Sequence, residues 1–356
     1  MTIHTHLLFH DQARDRVLAG AAAVARAASV TLGPRSRGVL VEGRGGDPRL
    51  CEDGLAIARG IEPVDPGEAA GVHMLRQVAE RTMAGAGDGS ATAVLLANGL
   101  LAGGLDAVEQ GVSPLAVKRG IERGAAAAAR ALRVLARPLS GRRERVHVAT
   151  TAAHGDDLVG ELVVEALELN GAGHGVRVEE GRASGVRLVE LARDERGQPV
   201  LRVGNGGDPG APCRAQDVRR ALAAVEWAAL EGVVPGGGLA LLRAAPAVER
   251  TAAMAPAAER PGVRVVARAL EAPLRAIAEQ TGLTGDEAIA RLAASTGDVG
   301  LDGRCGRYVD LMKAGIVDPA RVVRVALESA ATVTGLLLLT EATVTDDLEV
   351  VLGGAA

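Results

Sequence analysis

The sequence predicts a mainly helical protein with a few short strands. Of its 356 residues, 48% are apolar, and nearly all of these are aliphatic because the chain has one Trp, one Tyr and one Phe. Apolar residues recur with helical spacing in several long segments. Short apolar runs bounded by glycine, GVLVEG at 38–43 and GVRVEEG at 175–181, predict strands. A core built from Ala, Val and Leu is therefore expected to consist mostly of packed helices.

The helices follow in chain order from the spacing of apolar residues. In the first part of the chain, helical patterns cover 11–30, 68–83, the segment after Gly89, 113–136 and 157–171. The stretch from Gly181 to Gly210 is polar and glycine-rich, with short strand-like pieces, and predicts a connection between two halves. Beyond this connection, helical patterns resume at 215–232, 261–282, 285–295 and 318–344.

Composition argues against several classes of function. The net charge is −4 and no block of basic residues alternates with aromatic ones, so we expect no nucleic-acid binding. No apolar stretch is long and clean enough to predict a membrane span, and residues 1–15 do not resemble a signal peptide. Cys51, Cys213 and Cys305 are odd in number, far apart and without metal-ligand spacing. They are typical of reduced thiols in a cytoplasmic protein.

One stretch, TMAGAGDGSATAVLLANGLL at 82–101, places a glycine-rich turn with a carboxylate directly before an apolar helix. In one interpretation Asp88 and Ser90 cap the helix by accepting hydrogen bonds from its first free N–H groups. In the other, those N–H groups and the positive end of the helix dipole bind a phosphate. The stretch is not a Walker A loop, since no lysine follows the glycine.

Three further segments have the same character. VTLGPRSRG ends a helix at Gly33, CEDGLAIARGIE places Asp53 before a helix, and EGVVPGGGLALLRAA opens a helix with three glycines at 236–238. Each segment alone is most often structural. Their occurrence together in one chain favours the phosphate interpretation.

These segments, in this order, resemble the group I chaperonins of the GroEL type. The resemblance covers nearly the whole chain and is much more specific than any single glycine loop. The matching stretches lie at 28–43, 52–62, 86–101, 111–124, 230–245, 268–282 and 314–346.

The resemblance implies a domain organisation. Residues 1–136 and 232–356 resemble the two halves of the helical equatorial domain, which binds ATP and forms most ring contacts in the family. Residues 137–187 and 199–231 resemble the two halves of a small α/β intermediate domain. Only 188–198 stand where the family inserts its apical domain, so we expect a chaperonin fold without an apical domain.

This organisation also predicts the partners. In the family, the apical domain carries the apolar groove that captures unfolded clients and the lid co-chaperonin. A dozen polar residues do not supply an apolar patch of several hundred Å2. We therefore expect no binding of clients or of the lid by this chain alone, but association with itself or with a full-length chaperonin through equatorial contacts.

By resemblance, the glycine-rich turns form a pocket for ATP and Mg2+. Asp88 would coordinate Mg2+, and Asp53 matches the carboxylate near the γ-phosphate. Asp318 would hold the ribose hydroxyls, and Gly237 would let the nucleotide approach the backbone. The remaining expected contacts are those with the phosphates, at Thr31, Leu32, Gly33, Pro34, Gly89, Ser90, Ala91 and Thr92, and those on the adenine side, at Asp302 and Gly303.

Several residues depart from the family pattern. Glu52 replaces a basic residue, Ala91 replaces a threonine, and 302–304 read Asp-Gly-Arg instead of Asn-Ala-Ala. The largest departure is Arg220, which occupies the position of the aspartate that positions the hydrolytic water. A guanidinium stays protonated and cannot act as a base, so we expect slow hydrolysis. Arg220 could instead contact the γ-phosphate, or lie on the surface away from the site.

Three functions remain open at this stage. The first is a reduced chaperonin relative that binds ATP and self-associates. The second is a non-catalytic ring scaffold or regulator that has lost nucleotide binding. The third is an enzyme that uses the pocket for another phosphoryl transfer, which no cluster of substrate-side His, Lys or carboxylate residues supports.

Overall fold

A computed structural model of the chain describes residues 3–42, 48–171, 176–181, 189–204 and 214–348. The prediction of a mainly helical fold with small sheets is confirmed. The helices are α1 His10–Ser29, α2 Gly54–Gly60, α3 Pro66–Ala86, α4 Ser90–Glu109, α5 Pro114–Leu135, α6 Gly141–Ala152, α7 Asp157–Asn170, α8 Arg214–Glu231, α9 Leu239–Met254, α10 Arg260–Ala269, α11 Ala272–Gln280, α12 Gly285–Ala293 and α13 Ala320–Leu337. The strands are β1 Ile3–Phe9, β2 Val39–Val41, β3 Arg49–Cys51, β4 Arg177–Gly181, β5 Val189–Arg193, β6 Pro199–Gly204, β7 Val233–Pro235, β8 Val299–Asp302, β9 Arg307–Asp310, β10 Val317–Pro319 and β11 Ala342–Leu348.

The largest buried core joins the two ends of the chain. Its apolar side chains come from α1, α3, α4 and α5 in the first part and from α9, α10 and α13 in the last part. Helix α13 packs against α3, α4 and α5, so a late element fills the centre of an early bundle. Burial of apolar surface is the main stabilising contribution, and the two chain ends therefore stabilise one another.

A second core lies in the middle of the chain. Here α6, α7 and α8 pack on a three-stranded sheet in which β6 pairs in parallel with β4 and antiparallel with β5. Strands β5 and β6 form a hairpin whose turn is held by the Asp194 carboxylate, which accepts hydrogen bonds from the N–H groups of Arg196 and Gln198 at 2.9 Å each. The predicted connection at 188–198 is therefore strand β5 and a tight turn, with residue 188 outside the described residues.

Two predicted helices differ in extent. The pattern at 261–282 is broken into α10 and α11, because Pro273 lacks an N–H group and its ring clashes with the carbonyl four residues earlier. The pattern at 318–344 ends as a helix at Leu337, and the chain continues as β11. This strand pairs antiparallel with β1, a strand that periodicity alone did not predict.

The expectation that no segment is long and apolar enough to span a membrane is wrong for helix α4. Among the described residues it alone is long and apolar enough to do so by length and composition. However, 56% of its most apolar window is buried inside the protein. Its apolar residues are thus accounted for by its central place in the largest core.

Candidate functional site: a cleft between the two cores

The predicted turns meet in one cleft of about 620 Å3 that lies between the two cores. The end of α1, the starts of α2 and α4, and the β7–α9 turn form one side, and α6 and α8 contribute to the other. Every residue named above as a nucleotide or metal contact lines it: Thr31, Leu32, Gly33, Pro34, Asp53, Asp88, Gly89, Ser90, Ala91, Thr92, Gly237, Asp302, Gly303 and Asp318. Arg220 lines the same cleft and is buried, so its placement on the outer surface is wrong.

The start of α4 does not have the side-chain cap that the first interpretation required. Gly89 is the N-cap residue in the left-handed conformation, with φ 86°, and no side chain caps the helix. The Asp88 carboxylate accepts a hydrogen bond from the N–H group of the next residue, Gly89, at 2.7 Å, and not from the first turn of the helix. The first hydrogen bond into the helix runs from the Ala93 N–H group to the Gly89 carbonyl at 2.9 Å. Helix geometry therefore leaves the N–H groups before Ala93 without carbonyl partners, as a phosphate site requires.

The start of α2 is tied to the start of α4. Asp53 caps α2 by accepting from the Ala56 N–H group at 3.0 Å, and it also accepts from the Ser90 hydroxyl at 3.2 Å. Gly54 permits this close approach, because a Cβ there would lie 2.7 Å from the Ala91 nitrogen. The serine thus positions a carboxylate beside the open first turn of α4, and does not cap its own helix.

The β7–α9 turn and strand β10 also line the cleft. Gly237 and Gly238 both have positive φ and open α9 without a side-chain cap. Asp318 lies on β10, which pairs with β7 so that Asp318 stands opposite Val234. Burial, with a smaller contribution from Asp88, raises the pKa of Asp318 to about 7.

The adenine-side residues are held by local bonds. Asp302 accepts from the Arg304 N–H group at 2.8 Å and from the Cys305 thiol at 3.3 Å. Arg35 donates two bonds to the Arg304 carbonyl, at 2.9 and 3.1 Å. These bonds join the turn after α1 to the turn after β8, so this end of the cleft is built from both ends of the chain.

Arg220 enters the cleft from α8. Its Nη2 atom lies 3.7 Å from an Asp53 oxygen, its Nε atom 3.7 Å from an Asp88 oxygen, and Nη2 is 3.8 Å from Asp217, one turn earlier on the same helix. Its Nη1 atom is in hydrogen-bond contact with Nε2 of His154. Burial, and secondly the charge of Arg220, lower the pKa of His154, so a neutral imidazole accepts this bond.

The donors present fit a divalent metal held by Asp88 together with phosphate oxygens, which is a common way of binding Mg2+. Burial raises the pKa of Asp88, and the charge of Arg220 opposes that rise. No group of three or more His, Cys, Asp or Glu residues that could hold a metal by itself occurs in the described part of the chain. A metal held by Asp88 would compete with the Arg220 guanidinium, which lies close to that carboxylate and to Asp53.

Residues 147–157 were missed as site residues. His147, Thr150, His154 and Asp157 line the cleft from the α6–α7 segment. Their sequence, HVATTAAHGDD, holds a glycine and two carboxylates at another helix start, which is the same signal that marked Asp88. The start of α7 itself is closed, since Asp156 caps it by accepting from the Val159 N–H group at 3.1 Å.

Comparison with known proteins finds similarity over nearly the whole length of the chain. A family model described as the TCP-1/cpn60 chaperonin family matches residues 24–198 and 200–347. The protein named Chaperonin GroEL 5 of Bradyrhizobium diazoefficiens is 30% identical over 522 aligned positions, which cover 96% of each chain. Because 522 exceeds the 356 residues of this chain, the alignment has gaps where the relative holds additional residues.

Proposed function

This chain belongs to the TCP-1/cpn60 chaperonin family, and on that basis we propose that it is an adenine-nucleotide-binding protein of the protein-folding machinery. Membership of the family supports a role in protein folding and implies self-association into rings. The observation that carries nucleotide binding is the cleft, where the uncapped first turn of α4 faces Asp53, Asp88 and two glycine turns. Asp88 would hold Mg2+, which would neutralise phosphate charge there.

We further propose that the chain lacks the apical domain and has no capture surface of its own. The hairpin of β5 and β6 occupies the place of that domain, and its turn is tied by local hydrogen bonds. The gaps in the alignment with the longer relative support the same proposal. We propose the boundaries 1–136 with 232–356 for one unit and 137–187 with 199–231 for the other; most side chains of the second core lie in the latter unit.

The proposed activity is slow ATP hydrolysis in the cytoplasm. Asp53 matches the carboxylate that the family has near the γ-phosphate. Arg220, however, stands where the family's water-positioning aspartate is expected. Glu52, on the cleft wall, adds a negative charge near the phosphates. These features support binding with weak turnover.

The alternative is a non-catalytic ring scaffold or regulator that co-assembles with a full-length chaperonin. The observation in its favour is that Arg220 already bridges the cleft between α8 and the starts of α2 and α4. Helices joined by Arg220 in this way would not need a nucleotide to stay together.

Calorimetric titration distinguishes the two. We expect heat from ATP and from ADP that depends on Mg2+, and a loss of affinity in Asp88→Ala. The matched control is Asp106→Ala, an exposed aspartate near the far end of the same helix, which should bind like the parent. No heat from either nucleotide, or equal affinity in Asp88→Ala and Asp106→Ala, would support the scaffold.

A further inference from the structure

The side chain of Arg220 lies in the cleft without a carboxylate at hydrogen-bond distance. It is only 6% exposed, yet its three nearest carboxylate oxygens lie at 3.7, 3.7 and 3.8 Å. Charge-assisted hydrogen bonds between a guanidinium and a carboxylate are about 2.7–2.9 Å long. The carboxylates of Asp53, Asp88 and Asp217 therefore surround the guanidinium, and none of the three is within hydrogen-bond distance.

One donor of this guanidinium has no acceptor among the described residues. The Nε atom of Arg220 is buried and makes no hydrogen bond. Buried polar groups are nearly always paired, so an unpaired guanidinium donor in the cleft indicates that an acceptor belongs there. Contact of Nη1 with His154 fixes the plane of the guanidinium and leaves Nε directed at the Asp88 side.

The acceptor that suits this position is a phosphate oxygen. A guanidinium presents several N–H donors in one plane, which match the oxygens of a phosphate group. The open first turn of α4 lies beside Asp88, and Ser90 ties that turn to Asp53, the second carboxylate that Arg220 faces. A phosphate chain seated on α4 and extended towards Asp53 would bring its last group to Arg220.

We propose that Arg220 is a specificity residue that binds the terminal phosphate of ATP, so that the cleft prefers ATP to ADP. This inference rests on the proposed nucleotide binding and adds the group that distinguishes the two ligands. ADP lacks the phosphate that would reach α8, so it gains nothing from Arg220. The competing explanation is a structural ion pair that holds α8 against α2 and α4, which would affect both nucleotides equally.

The test compares the ratio of two affinities. Binding of ADP and of a non-hydrolysable β,γ-imido analogue of ATP is measured by calorimetry, at one Mg2+ concentration, for the parent, Arg220→Gln and Arg219→Gln. Arg219 is the adjacent exposed residue of α8, paired at 2.6 Å with Glu180 on β4, in the same core as α8. We expect Arg220→Gln to lower the analogue/ADP affinity ratio by roughly 10- to 100-fold, with ADP affinity little changed and Arg219→Gln like the parent.

Each other outcome has one meaning. An unchanged ratio in Arg220→Gln, or equal strengthening of both ligands, overturns the proposal and favours the ion pair. A parent that binds neither ligand overturns the nucleotide function itself, whereas a parent that binds both with a ratio independent of Arg220 overturns only this inference. If Arg220→Gln fails to fold, Arg220→Lys serves: an ammonium lacks the planar donor set, so its ratio should also fall, and an unchanged ratio would count against the proposal.

Discussion

The Nη2 atom of Arg220 lies 3.7 Å from the carboxylate of Asp53, so a positive charge on α8 faces the carboxylate that caps α2. The two residues come from different cores, and the cleft lies between them. In this family a carboxylate is expected where Arg220 stands. On the proposed function, this exchange of charge would alter the chemistry of the cleft.

The first prediction concerns hydrolysis. Loss of a residue that positions or activates water typically costs ~10²–10⁴ in rate, so the parent should release phosphate much more slowly than a full-length chaperonin assayed beside it. Arg220→Asp should increase the rate at saturating ATP, although weaker ATP binding is expected. Steady-state phosphate release, followed over a range of ATP concentrations, measures both the maximal rate and the ATP concentration needed to reach half of it. Arg219→Asp, the neighbouring change of equal charge, should leave the rate unaltered.

Two results would count against this explanation. If the parent turns over at the rate of the full-length chaperonin, Arg220 does not limit hydrolysis. If Arg220→Asp folds and binds ATP but gains no activity, then the way α8 is placed in the cleft, and not the missing carboxylate, limits the rate.

The second prediction concerns pH. The ordinary pKa of an aspartate is 3.8, and burial raises that of Asp318 to about 7. Between these values the folded protein holds a proton that the unfolded chain releases, so the free energy of unfolding decreases as pH rises from about 4 to 7. Asp318→Asn removes this dependence, so its melting temperature relative to that of the parent should be higher at pH 8 than at pH 4. Asp106→Asn is the exposed control, and parallel curves for the parent and Asp318→Asn would contradict the raised pKa.

The third prediction contrasts two glycines. A Cβ at residue 54 would lie 2.7 and 2.9 Å from backbone atoms of Ala91, so Gly54→Ala should destabilise the fold by about 1–3 kcal/mol and weaken nucleotide binding. Gly99 lies inside α4, and a Cβ there meets Ala269 at ordinary contact distances of 3.4 and 3.5 Å. Gly99→Ala should therefore stabilise the protein by up to about 1 kcal/mol. Denaturant unfolding at one protein concentration measures both changes, and a loss of stability of the same size in both would be inconsistent with the packing at α2.

The fourth prediction concerns assembly. Strands β2 and β3 pair so that Leu40 stands opposite Leu50, and both side chains are exposed, Leu40 by 67%. Exposed apolar side chains on a short hairpin with free edges favour pairing with another copy. We expect the parent to have a native mass of several copies and Leu40→Lys to have a smaller one. Val134→Lys, on an exposed face of α5 where the side chain is 85% exposed, is the control.

A strictly monomeric parent at high concentration, with and without nucleotide, would rule out self-association. Equal loss of mass in Leu40→Lys and Val134→Lys would place the contact elsewhere or indicate a general effect of added charge.

The fifth prediction concerns clients. Because we propose that the chain lacks an apical domain, the protein alone should not reduce light scattering from an aggregating, chemically unfolded substrate protein. A full-length chaperonin at the same molar amount is the positive control. If the parent and the Leu40→Lys variant both reduce the light scattering, the chain has a capture surface of its own.

Much of the fold could be predicted from local patterns. The cap at Asp65, Pro66 at the first turn and left-handed Gly87 at the end define α3 in the sequence itself, because caps and terminators act over a few residues. The segment at 3–9 could not be predicted in this way. It is a strand only because β11, over three hundred residues later, pairs with it.

Short-range spacing and composition alone determined the helical class and the glycine-begun turns that hold Asp53 and Asp88, whereas Asp318 was predicted through the family resemblance. Only the tertiary structure decided that Ser90 bonds to Asp53 instead of capping α4, and that Arg220 lies in the cleft and not on the surface. Both contacts join residues far apart in the chain. Packing of α2 against α4 within the first core brings Ser90 to Asp53, and the approach of α8 from the second core brings Arg220 into the cleft. Periodicity records which face of an element is buried, but not which distant side chain will meet it there.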